Sequence, residues 1–293
     1  MMNLSEGASA WVQNLIKDFT GNSPANSLQN ETRDRAWDEP LVGFSNGDDP
    51  LYRGYKTQIS DLYLTPLELF TGTFPEEEVS ASDLTVISWI LPHMAAIKAD
   101  NQHEKRLPSE RWARARVYGE DFNAALRRHV VAALHEAGYQ ALAPAFSPLY
   151  KGIMSERYGR ASTWSERHAA YASGLGTFGL CDGLITPAGK AIRCGSAIAR
   201  IKIPATARPY RDHHEYCLFF SEGTCGACID RCPVGAISKT GHDKGKCSNY
   251  TRSVTADYIK SLLGIDSYAC GLCQTGVPCE SRIPMKERIQ NRS

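Results

Sequence analysis

Ten cysteines carry the clearest chemical signal in this sequence, because all of them lie between Cys181 and Cys279. The chain before Cys181 contains none. In a chain without a secretory leader, clustered cysteines favour metal binding or redox chemistry over a disulfide framework. We therefore expect a cysteine-free body followed by a cysteine-dense C-terminal module whose folding depends on a metal.

The most specific motif is Cys225-x2-Cys228-x3-Cys232-Pro, which follows the latter part of a bacterial ferredoxin motif. In that motif, closely spaced thiolates hold one iron–sulfur cubane, and the Cys before Pro binds the neighbouring cluster. Glu222 stands where the first Cys of the motif would fall, and a carboxylate is too hard a ligand to suit the cluster. We expect Cys217 to supply that thiolate from a longer loop.

A second set of cysteines completes the ligands for two [4Fe–4S] clusters. Cys247 is followed by Cys270-x2-Cys273-x5-Cys279. Interleaving of the ferredoxin type assigns four thiolates to each cluster. The first set is Cys217, Cys225, Cys228 and Cys279, and the second set is Cys232, Cys247, Cys270 and Cys273.

Structural zinc is the alternative metal, since two C-x2-C pairs can form a zinc ribbon. The string C-x2-C-x3-C-P, followed by Val-Gly-Ala-Ile, favours iron instead. Cys181 and Cys194 belong to no motif, and we interpret them as buried small residues.

The composition is that of a globular protein. Of the 293 residues, 42% are hydrophobic and 22% are charged, and the formal net charge is +1. The longest apolar stretch is too short and too polar to cross a bilayer, and no secretory leader is evident, so we expect a cytoplasmic protein without a membrane partner. A near-zero charge also disfavours a dedicated nucleic-acid binder.

Hydrophobic periodicity predicts a body that mixes helices and strands. Helices are expected over residues 8–20 and from residue 109 to 138, and a buried strand over residues 84–91. The composition shifts after residue 204. We therefore predict one domain over residues 1–204 and a second over residues 205–293.

Two local predictions concern the segment before that boundary. Residues 183–203 are expected to form a hairpin whose second strand, 197–203, is half exposed. Thr163 and Glu166 fit a capping box at a helix start.

Residues 156–279 resemble epoxyqueuosine reductase and, more distantly, the reductive dehalogenases. The resemblance covers a little under half of the chain and is most specific in its cysteines. The matching segments are Glu166-Arg167, Ser173-Gly-Leu-Gly176 with Gly179, Gly195-Ser196, Lys246-Cys-Ser-Asn-Tyr250 and Tyr268-Ala-Cys-Gly-Leu-Cys-Gln274.

The resemblance implies an α+β fold, with a nitroreductase-like domain over residues 1–204 and a ferredoxin-like two-cluster domain over residues 205–293. It also implies that the first domain binds cobalamin and receives electrons through the clusters. The implied corrinoid-binding residues are Gly174, Leu175, Gly176, Gly179, Gly195 and Ser196. A flavin in the nitroreductase-like domain is the other cofactor left open.

The chain departs from the family where a proton donor is expected. Arg160 replaces the Asp that serves this role in epoxyqueuosine reductase, and an arginine stays protonated in proteins. A phenol beside a guanidinium has a lowered pKa and can donate a proton, which makes Tyr158 and Arg160 the candidate catalytic pair. Thr177 also replaces the family's Trp. These departures predict a related reductase with a different substrate.

The favoured hypothesis is a cytoplasmic oxidoreductase in which two [4Fe–4S] clusters pass electrons to a corrinoid that reduces a small organic substrate. A ferredoxin- or flavodoxin-type protein is the expected donor. One alternative is an electron-transfer or corrinoid-reactivating protein without its own substrate. The other is epoxyqueuosine reduction on tRNA, which the near-neutral charge disfavours.

Overall fold

The computed structural model describes residues 4–284, which mix helices and strands as the sequence predicts. In chain order the described helices α1 to α10 are Leu4–Asn22, Pro50–Gln58, Pro66–Thr73, Ala95–His103, Glu110–Glu136, Glu166–Ala172, Leu218–Ser221, Ala227–Asp230, Lys244–Arg252 and Val254–Leu263. The described strands β1 to β10 are Leu41–Asn46, Thr85–Pro92, Ala141–Leu142, Gly152–Ser155, Gly159–Ser162, Thr177–Phe178, Leu184–Ile185, Ile192–Ala199, Ile237–Ser238 and Gly241–His242. Short 3₁₀ turns cover Ala81–Asp83, Pro144–Phe146 and Leu272–Gln274.

An antiparallel sheet with the strand order β1-β2-β8-β3 forms the centre of the body. All the residues of β2 are buried, as expected for a β-branched apolar run in the middle of a sheet. The predicted buried strand is therefore confirmed, with bounds one residue later than the sequence indicated.

The long helix α5 packs against this sheet. It starts where the sequence predicts, because the Ser109 hydroxyl accepts a hydrogen bond from the backbone N–H of Trp112 at 3.3 Å. Gly138 follows its C-terminus with a φ of +86°, a conformation that glycine adopts readily. Each apolar side chain buried on such a helix contributes about 1.5–3 kcal/mol. The buried stripe is Phe122, Leu126, Val130 and Leu134.

The hairpin predicted over residues 183–203 is wrong. Strand β7 pairs with β6, whereas β8 lies between β2 and β3 and is buried along most of its length. The alternation of apolar and basic residues after residue 196 suggested a half-exposed strand. Most of its basic residues, however, lie beyond the end of β8, and the strand itself is covered by the body.

Arg231 joins the cysteine-rich C-terminal segment to the body through hydrogen bonds. It lies between Cys228 and Cys232 of the first cysteine motif. Its guanidinium donates to the carbonyl oxygens of Asn101, Gln102 and Glu104 at 2.9, 3.1 and 2.8 Å, at the end of α4. The last carbonyls of a helix lack intrahelical partners and attract cations. The same guanidinium also binds carbonyls in the 272–275 loop. One side chain therefore joins both cysteine regions to α4.

No helix within residues 4–284 is long and apolar enough to span a bilayer.

Candidate metal centre

Four cysteines that the sequence assigns to one cluster line a single cavity. They are Cys217, Cys225, Cys228 and Cys279. The rest of the lining is largely apolar and includes Leu180, Ile185 and Val277. Thiol sulfurs around an apolar cavity are a donor set suited to a soft metal–sulfur group.

The longer loop before Cys225 folds back so that Cys217 reaches this cavity. Cys217 lies directly before the one-turn helix α7, and its carbonyl oxygen accepts from the backbone N–H of Ser221 at 2.9 Å. The backbone N–H of Thr224 then returns to the carbonyl of Leu218 at 3.3 Å. The segment between Cys217 and Cys225 thus forms a closed turn, and the cysteines at its two ends line the same cavity.

The remaining predicted ligands, the second group, are Cys232, Cys247, Cys270 and Cys273. Burial raises the pKa of the Cys270 thiol to about 11, and the charges of Cys247 and Cys232 add to this effect. The pKa of the Cys273 thiol is raised by its hydrogen bond to Cys181, by burial and, to a smaller extent, by the charge of Cys270. The backbone N–H of Ala236 donates to the Cys232 sulfur at 3.2 Å, an interaction that stabilises a thiolate. Whether Cys232, Cys247, Cys270 and Cys273 together bind one cluster stays a prediction of the interleaved motif.

A histidine lies beside the second group. His242 Nδ1 lies 3.0 Å from Asp182 Oδ2, and its ring also hydrogen-bonds to Cys247. Burial opposes the charged form, but these two partners raise the pKa of His242 to about 10. Lys244 Nζ lies 3.6 Å from the same Asp182 carboxylate. His242 thus contacts one thiol of the second group and shares its carboxylate partner with Lys244.

The structure adds two residues to this region that the sequence did not single out. Cys181 hydrogen-bonds to Cys228 of the first group and to Cys273 of the second, and both bonds lower its pKa. Its sulfur lies 3.3 Å from the ammonium of Lys190, which is buried. Burial would lower the pKa of Lys190, but the surrounding thiols raise it above its ordinary value. Cys181 is therefore part of the thiol array and is not an isolated core residue.

Cys194 behaves as the sequence suggests. It is buried in the body among Ile90, Ala170 and Leu175, and burial raises its pKa to about 12. Within residues 4–284, no three His, Cys, Asp or Glu side chains converge closely enough to hold a single metal ion.

The residues that the resemblance assigns to a corrinoid lie against protein atoms. They are Gly174, Leu175, Gly176, Gly179, Gly195 and Ser196. A Cβ at Gly176 would lie 2.2 Å from the Ile185 carbonyl oxygen, and one at Gly174 would lie 2.6 Å from that of Ala207. The Ser196 hydroxyl accepts from the Trp164 indole at 3.0 Å and donates to Glu166. Close packing of the chain on itself therefore explains why Gly174 and Gly176 have no side chain.

Gly195 allows a direct test of that explanation. A Cβ there would lie 2.4 Å from Nε1 of Trp89, which donates to Asn123 at 2.9 Å. We expect G195A to lower the free energy of unfolding by about 1–3 kcal/mol, as overpacking does. Urea unfolding measures this. The control is G21A, since nothing lies within 4 Å of a Cβ at Gly21. Unchanged stability of G195A would contradict the packing explanation.

The candidate catalytic pair lies on the β4–β5 hairpin. Tyr158 is 40% exposed, in the turn between the strands, and Arg160 is exposed on β5 opposite Met154. The cations over the Tyr158 ring are Arg157 and Lys244, at 5.2 and 5.3 Å from its centroid. The guanidinium over the phenol thus belongs to Arg157, whereas the sequence predicts Arg160.

The predicted capping box at Thr163 and Glu166 is wrong. Helix α6 is capped by Ser165, whose hydroxyl accepts from the backbone N–H of His168. The hydroxyl of Thr163 instead donates to the carbonyl of Leu149 at 2.9 Å and fixes the hairpin. Glu166 is free to bind Arg127 at 3.2 Å, although burial still raises the pKa of this carboxyl.

The chain is similar to curated proteins and to solved structures, but no family model matches it. Two curated epoxyqueuosine reductases, from Bacillus anthracis and Bacillus cereus, are each 29% identical over 119 residues, covering 39% of this chain. The match spans only 29% of the length of those two relatives.

Solved structures of epoxyqueuosine reductases and of a reductive dehalogenase are similar to this chain. Epoxyqueuosine reductase from Bacillus subtilis gives a TM-score of 0.41 at 17% identity, covering 84% of this chain and 62% of that chain. An epoxyqueuosine reductase solved with a modified tRNA stem loop gives a TM-score of 0.41 at 16% identity, and the match covers 92% of this chain and 66% of that chain. A catabolic reductive dehalogenase gives a TM-score of 0.49 at 14% identity, and the match covers 84% of this chain and 30% of that chain. The resemblance to epoxyqueuosine reductase that the motifs predicted is thus confirmed by the curated relatives.

Proposed function

We propose that this chain is an epoxyqueuosine reductase-like oxidoreductase whose C-terminal cysteines hold two [4Fe–4S] clusters. The observation that supports the proposal is that Cys217, Cys225, Cys228 and Cys279 line one cavity, while Cys232 and Cys273 pack against the same cluster of buried residues. Such clusters, when bound, supply one-electron transfer at low potential. A ferredoxin- or flavodoxin-type protein is the donor that fits this chemistry.

The chain's own residues position the thiols and exclude water from them. Leu180, Ile185 and Val277 shield the first group. The N–H of Ala236 and the ring of His242 bind sulfurs of the second group, and such hydrogen bonds tune a cluster's potential. The domain division at residues 204 and 205, with a nitroreductase-like and a ferredoxin-like part, belongs to this proposal.

A corrinoid remains part of the proposal on resemblance alone. Gly174, Gly176 and Gly195 contact protein atoms, so these three glycines are explained without a corrinoid. We derive no chemical step through it. Cobalt analysis of anaerobically purified protein decides the point, and flavin absorbance tests the other cofactor that the sequence leaves open.

Two substrate classes remain, and reduction of epoxyqueuosine in tRNA is better supported than a small organic substrate. The curated relatives carry that activity in their names. The structure adds an exposed Tyr158 between Arg157 and Lys244, with Arg160 exposed on the same hairpin. Aromatic rings combined with basic residues are what single-stranded nucleic acids bind. In this proposal Tyr158 remains a candidate proton donor, with Arg157 as the neighbouring guanidinium and Arg160 on the same hairpin.

The substrate is tested with chemically reduced, reconstituted protein under anaerobic conditions. We expect an epoxyqueuosine-containing anticodon stem loop to reoxidise the clusters and yield the deoxygenated base, whereas the free epoxyqueuosine nucleoside reacts far more slowly. Mass spectrometry of the nucleosides measures this. Equal rates would favour a small-molecule reductase. Intact clusters that reduce neither substrate would favour a pure electron-transfer protein.

A further inference from the structure

A buried lysine and a buried cysteine lie between the two groups of predicted cluster ligands. We propose that Lys190, held by Cys181, places a positive charge between the two clusters and raises the reduction potential of at least one of them. This inference rests on the proposed iron–sulfur function. It assigns Lys190 a role in tuning the clusters, not in binding iron.

The position of Lys190 is fixed at both its backbone and its side chain. Only 3% of the residue is exposed, and its ammonium lies 3.3 Å from the Cys181 sulfur. Its backbone N–H donates to the carbonyl oxygens of Cys279 and Glu280 at 2.8 and 3.0 Å. The lysine is thus attached directly to the segment that carries the last predicted ligand of the first cluster.

Two glycines make room for this arrangement. A Cβ at Gly183 would lie 2.8 Å from Cδ of Lys190, so the lysine stem passes over a bare backbone. Gly189 has a φ of +85°, and a Cβ there would lie 2.2 Å from the Glu280 carbonyl oxygen. The sequence around Lys190 therefore accommodates a long side chain that points inward.

The groups that act electrostatically on Lys190 come from both clusters' ligand sets. Besides Cys181, they are the thiols of Cys279 and Cys228 from the first set and of Cys273 from the second. Cys181 itself hydrogen-bonds to Cys228 and Cys273. Cys181 also packs in one cluster with Cys217, Cys228 and Cys279, against which Cys232 and Cys273 of the second set pack, and Lys190 lines the first cavity. The pair therefore lies beside thiols of both sets.

Burying an ammonium is costly unless a negative partner compensates it. A single thiol is a weak partner, whereas iron–sulfur clusters with four thiolate ligands carry net negative charge. Reduction adds a further negative charge, so a fixed cation nearby stabilises the reduced state. Net charge and hydrogen bonds to the sulfurs are established determinants of cluster potential. A lysine at this place makes the clusters easier to reduce.

The test is a redox titration of reconstituted protein followed by electron paramagnetic resonance, with iron counted in each sample. We expect K190M to keep its iron while the reduction equilibrium of at least one cluster shifts about tenfold toward the oxidised state, about 59 mV for one electron. In K190Q the reduction equilibrium should also shift toward the oxidised state, but less than in K190M, because the glutamine amide still donates a hydrogen bond. K202M, at a side chain 83% exposed, is the control.

The outcomes separate this inference from the function on which it rests. Absence of iron from the reconstituted wild-type protein would contradict the proposed iron–sulfur function itself. Wild-type protein with iron, together with an unshifted K190Q, would overturn the role of Lys190 even if K190M lost its clusters. C181A should keep the full iron content, as should the control C194A. Iron loss in C181A alone would make Cys181 a ligand and overturn its role as a partner of Lys190.

Discussion

Replacing Cys247 with alanine is expected to remove one cluster and leave the other intact. The iron content of reconstituted protein should fall from about eight to about four per chain, and the spin signal of the reduced protein should fall by about half. The reason is that Cys247 belongs to the second thiol group, while the first group lines its own cavity.

Two matched variants make this result specific. C225A should remove the first cluster and spare the second, so its residual spectrum should differ from that of C247A. C194A removes a buried thiol that lies in the body and should keep all its iron. Loss of all iron in both C247A and C225A would contradict two separate sites, and full iron in either would contradict the ligand assignment.

Replacing Arg231 with methionine should weaken the attachment of the cysteine segment to the body. The guanidinium donates to carbonyls of Asn101, Gln102 and Glu104 and to the 272–275 loop. Hydrogen bonds from a charged donor contribute about 1.5–3 kcal/mol each and are not additive, so a total loss of roughly 3 kcal/mol is expected.

Anaerobic urea titration measures this loss through cluster absorbance. At a slope of about 3 kcal/mol per M, the midpoint for R231M should fall by about 1 M. R53M, at an exposed arginine on α2, is the control and should not change the midpoint. An unchanged midpoint for R231M would show that the segment is held by its other contacts.

The cavity lined by Cys217, Cys225, Cys228 and Cys279 could be predicted from sequence because ligand spacing is local. Cys225, Cys228 and Cys232 share one short segment, and a short helical turn dictates which sulfurs face the same side. Cys217 can reach the same cavity as Cys225 only if the loop between them folds back, and helix α7 forms that turn. In both cases the information lay within a few residues of the motif.

Cys181 and Lys190 could not be predicted in the same way. Cys181 belongs to no cysteine motif, and Lys190 reads as an ordinary basic residue in a turn. They meet the ligands only because the segment at Lys190 pairs with Cys279 and Glu280, a contact between distant parts of the chain. No local signal indicates such pairing.

The same limit explains the local predictions that were wrong. The hairpin over residues 183–203 assumed that neighbouring strands pair, yet β8 finds its partners in β2 and β3. Thr163 has the residue type of a helix cap, but its hydroxyl is used by the preceding hairpin. Ser165 then takes the capping position. The tertiary contacts decided between alternatives that were locally equivalent.

The central claim is that eight thiols hold two [4Fe–4S] clusters, and metal analysis of anaerobically purified, reconstituted protein tests it most directly. Iron, acid-labile sulfide and zinc are measured per chain. The account predicts about eight irons, about eight sulfides and no stoichiometric zinc. Stoichiometric zinc without sulfide would instead make the cysteines structural zinc ligands and contradict the account.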